Sequence, residues 1–330
     1  MSVTESQAVS NYNEAFTLLK ENSPEQRLDI QLPYEKFRQL DNDFSELKSE
    51  ADISEDQRYP SLTYNSLTQT VTVVTAPSSI HEGAARWIDK EIIKFVDDYL
   101  STRSPQTLQR IRQVGSTTMH FPSGRYRRSR KEPDGGFIYA RLDGDDEMVI
   151  ALEVGYTEVY GKLLDDKDMW INGMGVKVVI LVCFNETPRF KYPGTAPFQD
   201  IADRRAEKAA MSRTVGESTR LNIQNGYYGP LGYRGHEWVG ELTEAFIEVW
   251  RQGSHDRFDL IQEGFVARHN IPVTLGLRIS DLYPRDVWQD EDIEDRSITF
   301  DGASFLEGLR YDMMTTAKIS SRDSCWRNCG

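Results

Sequence analysis

The 330-residue sequence has only three cysteines, which are too few for a disulfide framework. They are Cys183, Cys325 and Cys329, and Cys183 falls in an apolar run that predicts a buried strand. The first residues contain neither the basic segment nor the apolar segment of a secretory signal. No apolar run approaches the roughly 20 residues that span a bilayer. We therefore expect an intracellular protein, in the cytoplasm or nucleus, with no membrane partner.

Positive charge is scarce as well: 39 Lys and Arg residues stand against 52 Asp and Glu residues, giving a net charge of −13. This balance argues against a protein that binds nucleic acid over its whole surface, because such binding depends largely on phosphate neutralisation. The basic residues are unevenly placed, however, and one group comes just before Asp134. This basic run consists of Arg125, Arg127, Arg128, Arg130 and Lys131. A local basic strip can still bind a phosphate backbone, and the alternative is an ordinary solvated loop.

Two further absences narrow the function. Neither G-x-x-x-x-G-K nor G-x-G-x-x-G follows a predicted strand, so no motif supports an enzyme that acts on a small phosphorylated substrate. No internal repeat is evident either. A hydrophobic fraction of 38% with 11% aromatic residues excludes wholesale disorder. We predict three regions: a polar helical extension over 1–57, a folded domain over 58–285, and an acidic linker with a helix and tail over 286–330.

A predicted hairpin in the middle of the chain brings two acids together. Residues 137–140 and 148–154 are rich in aliphatic and aromatic side chains and predict two strands. Asp143-Gly144 lies between them and is a strong hairpin-turn signal. In such a hairpin Asp134, before the first strand, lies near Glu153, close to the end of the second.

The pattern changes after this hairpin. Residues 157–173 place their apolar side chains with a helical period, and Asn172-Gly173 is suited to cap the end of that helix. Residues 176–184 are almost continuously apolar, which is typical of a strand buried on both faces after a helical crossover. We expect the three strands to share one sheet, with the helix packed across it.

Two neighbouring carboxylates suit a hard divalent cation. Mg²⁺ prefers oxygen ligands, so Asp134 and Glu153 would hold Mg²⁺ or Mn²⁺ if their side chains come close together. Such a metal polarises a phosphate and lowers the pKa of the attacking water. The alternatives are structural: Asp134 precedes Gly135-Gly136 and suits a turn, and a buried Glu153 needs some partner whatever its role.

The motifs Pro133-Asp134 and 151–155 (ALEVG), followed by a helix and an apolar strand, resemble those of the PD-(D/E)XK, or restriction-endonuclease-like, nuclease superfamily. The resemblance covers about residues 60–285. It implies an α/β fold with a mixed sheet, a restriction-endonuclease-like core, and helical extensions at both ends. It further implies metal-dependent hydrolysis of phosphodiester bonds, with DNA favoured over RNA and with Asp134 and Glu153 as Mg²⁺ ligands.

The sequence departs from this family at one position. The family lysine stands two residues after the Glu, and Gly155 occupies that position here. Some branches carry the lysine on the following helix, where Lys167 is the candidate for a catalytic role and Lys162 is an accessory candidate. Lys177, in the next strand, and His81, in the first turn of a helix predicted over 78–100, complete the accessory group.

The departure leaves two functions open. One is a metal-dependent nuclease in which the basic run binds the nucleic acid. The other is a catalytically inactive nuclease fold that serves as a binding or interaction module, and the missing lysine and the acidic net charge favour it. A homodimer is also kept open.

Overall fold

Among the residues described by the computed structural model, no helix is both long enough and apolar enough to cross a membrane. The residues that the structure describes are 4–21, 27–50, 60–75, 78–101, 109–115, 117–142, 144–156, 159–189, 204–261, 272–288 and 293–326.

The chain forms two compact units, and each unit uses several separate segments of the sequence. Unit 1 consists of Met1–Ser78, Ser116–Pro133 and Asp168–Gly175. Unit 2 consists of Ser79–Gly115, Asp134–Lys167 and Val176–Gly330. Elements are numbered along the chain in both units.

Unit 1 packs two helices against an antiparallel sheet. Its helices are α1 (Glu5–Glu21) and α2 (Tyr34–Glu50). Its strands are β1 (Arg27–Gln31), β2 (Ser61–Asn65), β3 (Thr70–Val74), β5 (Met119–His120) and β6 (Arg130–Lys131), in the order β1-β3-β2-β6-β5. The alternating side chains of β2 and β3 put Leu62, Tyr64, Val71 and Val73 into one apolar core with residues from both helices.

Unit 2 is built on a mixed sheet. Its strands are β4 (Ile111–Gln113), β7 (Gly135–Tyr139), β8 (Glu147–Tyr156), β9 (Val178–Thr187), β12 (Glu241–Arg251) and β13 (Ser254–Ile261), in the order β13-β12-β9-β8-β7-β4. Strands β8 and β9 run parallel, and the other neighbours run antiparallel. Helix α4 (Tyr160–Asp168) lies between β8 and β9 in the chain, as a parallel pair requires a crossover connection.

The remaining helices of unit 2 are α3 (Ser79–Leu100), α5 (Arg204–Asn225), α6 (Arg285–Trp288) and α7 (Gly302–Trp326). Two short antiparallel pairs complete the unit: β10 (Leu231–Tyr233) with β11 (His236–Val239), and β14 (Pro272–Arg278) with β15 (Ser297–Asp301). One large apolar core joins the sheet to α3, α5 and α7. The carboxylate of Asp301 accepts hydrogen bonds from the N–H groups of Ala303 and Ser304 and so caps α7.

The predicted α/β class with a mixed sheet is confirmed. The three central strands lie side by side in one sheet, and the strand, strand, helix, strand order around Asp134 and Glu153 is the one expected. The predicted cap at Asn172-Gly173 is wrong. The helix continues as a π-helix over Met169–Met174 and ends at Gly175, which has the left-handed conformation (φ 77°) and donates its N–H to Trp170. A one-turn widening of the helix is not visible in apolar periodicity, so the pattern placed the end too early.

Candidate active site

Asp134 lies directly beside Glu153. The N–H of Asp134 donates to the carbonyl oxygen of Leu152 at 3.0 Å, and Oδ2 of Asp134 accepts the N–H of Val154 at 2.7 Å. These two bonds fall on the residues before and after Glu153. Since the N of a residue is about 2.4 Å from the preceding Cα, the Asp134 carboxylate oxygen is within about 5 Å of the Glu153 Cα.

Glu153 is buried, with only 4% of its surface exposed. Its neighbours Leu152 and Val154 belong to the main core of unit 2. Side chains alternate along a strand, so Glu153 is directed to the opposite face of the sheet. A buried ionised carboxylate costs several kcal/mol unless opposite charge and hydrogen bonds compensate it.

His81 contacts the same oxygen of Asp134. Its Nε2 is 3.2 Å from Oδ2, and the residue lies in the first turn of α3. The amino-terminal end of a helix carries partial positive charge, which favours an ionised carboxylate nearby. The predicted accessory residue is therefore next to one of the two predicted metal ligands. Both contacts restrict the orientation of the Asp134 carboxylate.

Asp89 is a residue that the sequence reasoning missed. It lies two turns after His81 on α3, is 4% exposed, and accepts a hydrogen bond from Gln113 Nε2 at 2.7 Å. Burial raises its pKa to about 6, although hydrogen bonds from Gln113 and from the backbone of Gly136 oppose the rise. The available signal was an acid within the apolar helical stripe that contains Ile88 and Ile92.

Two glycines follow Asp134 because the packing leaves no room for side chains. A Cβ atom on Gly135 would lie 2.7 Å from Oδ2 of Asp89. Gly136 has φ 142°, and a Cβ atom there would collide with the carbonyl oxygen of Ile150. The Gly-Gly pair therefore allows α3 and β8 to approach the backbone next to Asp134.

The absence of a lysine at position 155 has a steric explanation. A Cβ atom on Gly155 would lie 2.6 Å from Cδ1 of Leu163 in α4. Leu163 is itself buried, with 1% of its surface exposed, so it cannot move aside easily. The close packing of α4 on β8 excludes a lysine two residues after Glu153.

Lys167 contacts an aromatic ring. Its Nζ lies 4.4 Å from the ring centroid of Trp250, a cation–π contact. Trp250 belongs to β12, where it pairs with Val179 of the neighbouring strand β9. Val179 in turn pairs with Ala151 of β8, the strand that carries Glu153. Adjacent strands are about 4.8 Å apart, so the backbone of Trp250 is roughly 10 Å to the side of β8. The Lys167 ammonium group thus lies above a strand two places away from the one that carries Glu153.

The other two lysines differ in their surroundings. Lys162 is half-buried in α4. Lys177 donates from Nζ to the carbonyl oxygen of Ser280 at 2.6 Å, and burial lowers its pKa. Glu153 pairs with Leu181 of β9, and Lys177 comes four residues before Leu181. A separation of four residues corresponds to about 13 Å along a strand. The structure does not bring Lys177 to the two carboxylates.

The basic run lies in unit 1 and divides into two groups. Arg125, Arg127 and Arg128 are exposed, whereas Arg130 and Lys131 are buried. Arg130 forms ion pairs with Asp41 and with Glu132, the latter at 3.2 Å. Its positive charge is therefore neutralised by acids of the same unit.

The exposed arginines lie in a well-bonded loop. The N–H of Phe121 donates to the carbonyl oxygen of Ser129 at 3.0 Å, and the N–H of Arg128 donates to the carbonyl oxygen of Phe121 at 3.2 Å. Arg128 has φ 77°, and its guanidinium group lies 4.8 Å from the ring centroid of Tyr34. The loop therefore presents Arg125 and Arg127 on a backbone that its own hydrogen bonds hold in place.

The donor set suits a hard cation with few protein ligands. Asp134 and Glu153 offer only carboxylate oxygen as ligands, and oxygen is the ligand that Mg²⁺ and Mn²⁺ prefer. Within the described ranges no group of three or more His, Cys, Asp and Glu residues is arranged to hold a metal ion.

Comparison with known proteins finds a solved structure to which this chain is similar. It is a protein of Anabaena variabilis, described as a "putative nuclease belonging to DUF820", with a TM-score of 0.36 and 10% sequence identity. The match covers 83% of this chain and 99% of the other. No protein-family model matches the sequence. No curated protein matches it either.

Proposed function

We propose that this protein is a metal-dependent nuclease that hydrolyses phosphodiester bonds, with DNA favoured over RNA. One observation supports the proposal: the backbone and carboxylate of Asp134 bond to the residues on either side of the buried Glu153, in the central strand β8. This pair is the metal-binding pair that the nuclease resemblance implies. Asp134 and Glu153 would hold Mg²⁺ or Mn²⁺, which when bound activates water and neutralises charge on the phosphate.

The surrounding groups would orient these ligands. The N–H of Val154 and Nε2 of His81 both contact Oδ2 of Asp134 and would fix the direction in which this carboxylate faces a cation. Residues that hydrogen-bond metal ligands fix their orientation and tune affinity. Gly135 and Gly136 allow the close packing that positions Asp134.

Lys167 could contact the substrate phosphate only if its side chain moved from the position seen in the structure. In the structure Nζ lies on the ring of Trp250. The side chain reaches about 6 Å from its Cα and has a flexible stem, so leaving Trp250 is a side-chain movement rather than a change of fold. Lys162, half-buried and nearer the start of α4, is the alternative donor.

A second candidate function is a catalytically inactive nuclease fold that binds nucleic acid or another partner. The position of Lys167 over Trp250 and the exclusion of a lysine at Gly155 favour it. In either case the exposed Arg125, Arg127 and Arg128 are the members of the basic run suited to phosphate contacts, because Arg130 is ion-paired within unit 1.

The test is cleavage of plasmid and oligonucleotide substrates with Mg²⁺ or Mn²⁺, comparing the natural protein with Glu153→Gln. The glutamine keeps the side-chain volume and removes the charge. We expect a loss of about 100-fold or more, because a metal supplies several kcal/mol and each 1.4 kcal/mol is tenfold. Glu237→Gln, on the exposed surface of β11, is the matched control and should cleave normally. Equal activity of the Glu153→Gln variant and the natural protein would contradict the proposal, and absence of cleavage in both would favour the inactive module.

A further inference from the structure

Helix α5 has an unusual charge for this protein. Its 22 residues contain the basic residues Arg204, Arg205, Lys208, Arg213 and Arg220 and the acidic residues Glu207 and Glu217. Five positive charges minus two negative charges give +3, whereas the whole chain has a net charge of −13. The basic charge of this helix was not singled out by any sequence motif.

One side of α5 packs against the rest of unit 2 and the other side is exposed. Met211 and Val215, four residues apart, are buried in the main core. Lys208, Arg213 and Arg220 are exposed. At 100° per residue these three side chains fall within an arc of about 140°. Arg213 and Arg220 lie on the side of the helix turned away from Met211, and Lys208 lies at the edge of the arc, next to the buried Val215.

The exposed side is open between its cations. The positions between the three cations on this arc carry short side chains or, at the glycine, no side chain. They are Ala209, Ser212, Gly216 and Thr219. A Cβ atom on Gly216 would meet nothing within 4 Å. Glycine within a helix costs about 1 kcal/mol relative to alanine. Short side chains here let an extended ligand approach the helix while the longer basic side chains reach around it.

These cations have no acidic partner among the described residues. No ion pair within those ranges includes Lys208, Arg213 or Arg220. By contrast, the acid Glu207 is engaged by Tyr233 and Arg234, with hydrogen bonds of 2.6 Å to each. In the described part of the chain Glu217, the one acid near Arg213 and Arg220 in the helix sequence, forms no ion pair with either of them, and the arc keeps a net positive charge.

We propose that this exposed face of α5 binds the phosphate backbone of a nucleic acid. The inference rests on the proposed function, to which it adds a second contact surface in the unit that carries Asp134 and Glu153. Lys208 and Arg220 are twelve residues apart, so the cations span about 18 Å of helix. That length matches about five base pairs of duplex at 3.4 Å each. An unpaired row of cations in a strongly acidic protein selects a polyanion by charge complementarity.

A membrane surface fits this face less well. A helix that lies in a membrane interface inserts large apolar side chains on one side. The apolar stripe of α5 is already packed in the protein core through Met211 and Val215. Between Lys208 and Arg220 the exposed arc has no apolar side chain larger than alanine. Beyond Arg220 the helix exposes Leu221 and Ile223, of which only Ile223 falls on the same arc, so the face has no row of large apolar side chains.

The experiment measures the binding of a labelled DNA duplex by fluorescence anisotropy, in EDTA so that hydrolysis does not interfere, at several salt concentrations. The full-length variant has three substitutions: Lys208→Gln, Arg213→Gln and Arg220→Gln. Each lost phosphate contact should reduce the slope of log K against log salt by about 0.9, or about 2.7 for three. The ratio of natural to variant affinity should then fall about 40-fold between about 50 and 200 mM salt.

The matched control removes three exposed cations from α3, a helix of the same unit with more acidic than basic residues. Its substitutions are Arg86→Gln, Lys90→Gln and Lys94→Gln. This control should keep the slope of the natural protein, as should a charge-conserving variant with Lys208→Arg, Arg213→Lys and Arg220→Lys. An unchanged slope in the first variant, or the same change in the α3 control, would overturn the inference.

Two further comparisons separate the alternatives. If the α5 variant lost affinity for phosphatidylserine vesicles but not for the duplex, the face would be a membrane surface and the inference would be wrong. Cleavage with Mg²⁺ or Mn²⁺ is measured on the same proteins. A natural protein that fails to cleave but shows the slope difference would refute the proposed nuclease and leave α5 as a nucleic-acid-binding surface.

Discussion

Replacing Asp89 with asparagine should stabilise the protein at neutral pH. The carboxyl group is buried on α3, and burial raises its pKa from 3.8 to about 6. At neutral pH the folded protein must therefore ionise a group that resists ionisation. Folding favours the protonated form of Asp89. The stability that this protonated group contributes is therefore complete below pH 3.8 and is lost as the pH rises through about 6.

The magnitude follows from the shift of about two pKa units. At 1.36 kcal/mol per unit, ionised Asp89 costs about 3 kcal/mol of unfolding free energy at pH 7.5 and about 1.6 kcal/mol at pH 5. The asparagine side chain would remain neutral at both values and would still accept the hydrogen bond from Gln113. The Asp89→Asn variant should thus be more stable than the natural protein, and its advantage should shrink by about 1.4 kcal/mol between pH 7.5 and pH 5.

Urea unfolding of both proteins at the two pH values measures this double difference, in which the contributions of all other groups cancel. Asp97→Asn, on the exposed side of the same helix, is the control and should show less than about 1 kcal/mol of change. An advantage that is absent, or that grows as the pH falls, would refute the reasoning. Reduced cleavage by a more stable Asp89→Asn protein would indicate that the ionised acid is retained for function.

Three other predictions concern packing and charge. Gly155→Ala should destabilise the protein by about 1 to 3 kcal/mol, measured by thermal unfolding, because the added methyl group overpacks the contact with Leu163. Gly161→Ala is the control and should be neutral or stabilising, because nothing lies within 4 Å of its Cβ position. Arg130→Met should lower the unfolding free energy by about 1 to 3 kcal/mol, because it leaves the partly buried carboxylates of Asp41 and Glu132 without their partner. Arg127→Gln, by contrast, should leave stability unchanged and reduce the salt slope of DNA binding by about 1; the reverse pattern would refute the division of the basic run. Lys167→Ala should reduce cleavage about 100-fold if that lysine reaches the phosphate, and unchanged cleavage by the folded variant would exclude it.

The acids and the strands that carry them could be predicted from the sequence because the relevant interactions are local. Strands β7 and β8 are neighbours in the chain, both are short runs rich in apolar residues, and the connection between them pairs them antiparallel. That pairing alone puts Asp134 beside Glu153. The parallel partner β9 follows from its continuous apolar run and the helix before it.

The tertiary structure decided which charged residues are available for chemistry. Arg127 and Arg130 belong to the same basic run, yet only Arg130 meets Asp41, which is 89 positions away in the chain. Lys167 likewise meets Trp250 of a distant strand. Asp89, on the buried face of α3, could be recognised as a burden on stability only once Gln113 and the glycines after Asp134 were seen to enclose it. Burial and pairing of a charge depend on which distant segments pack around it, and local periodicity contains no information about that choice.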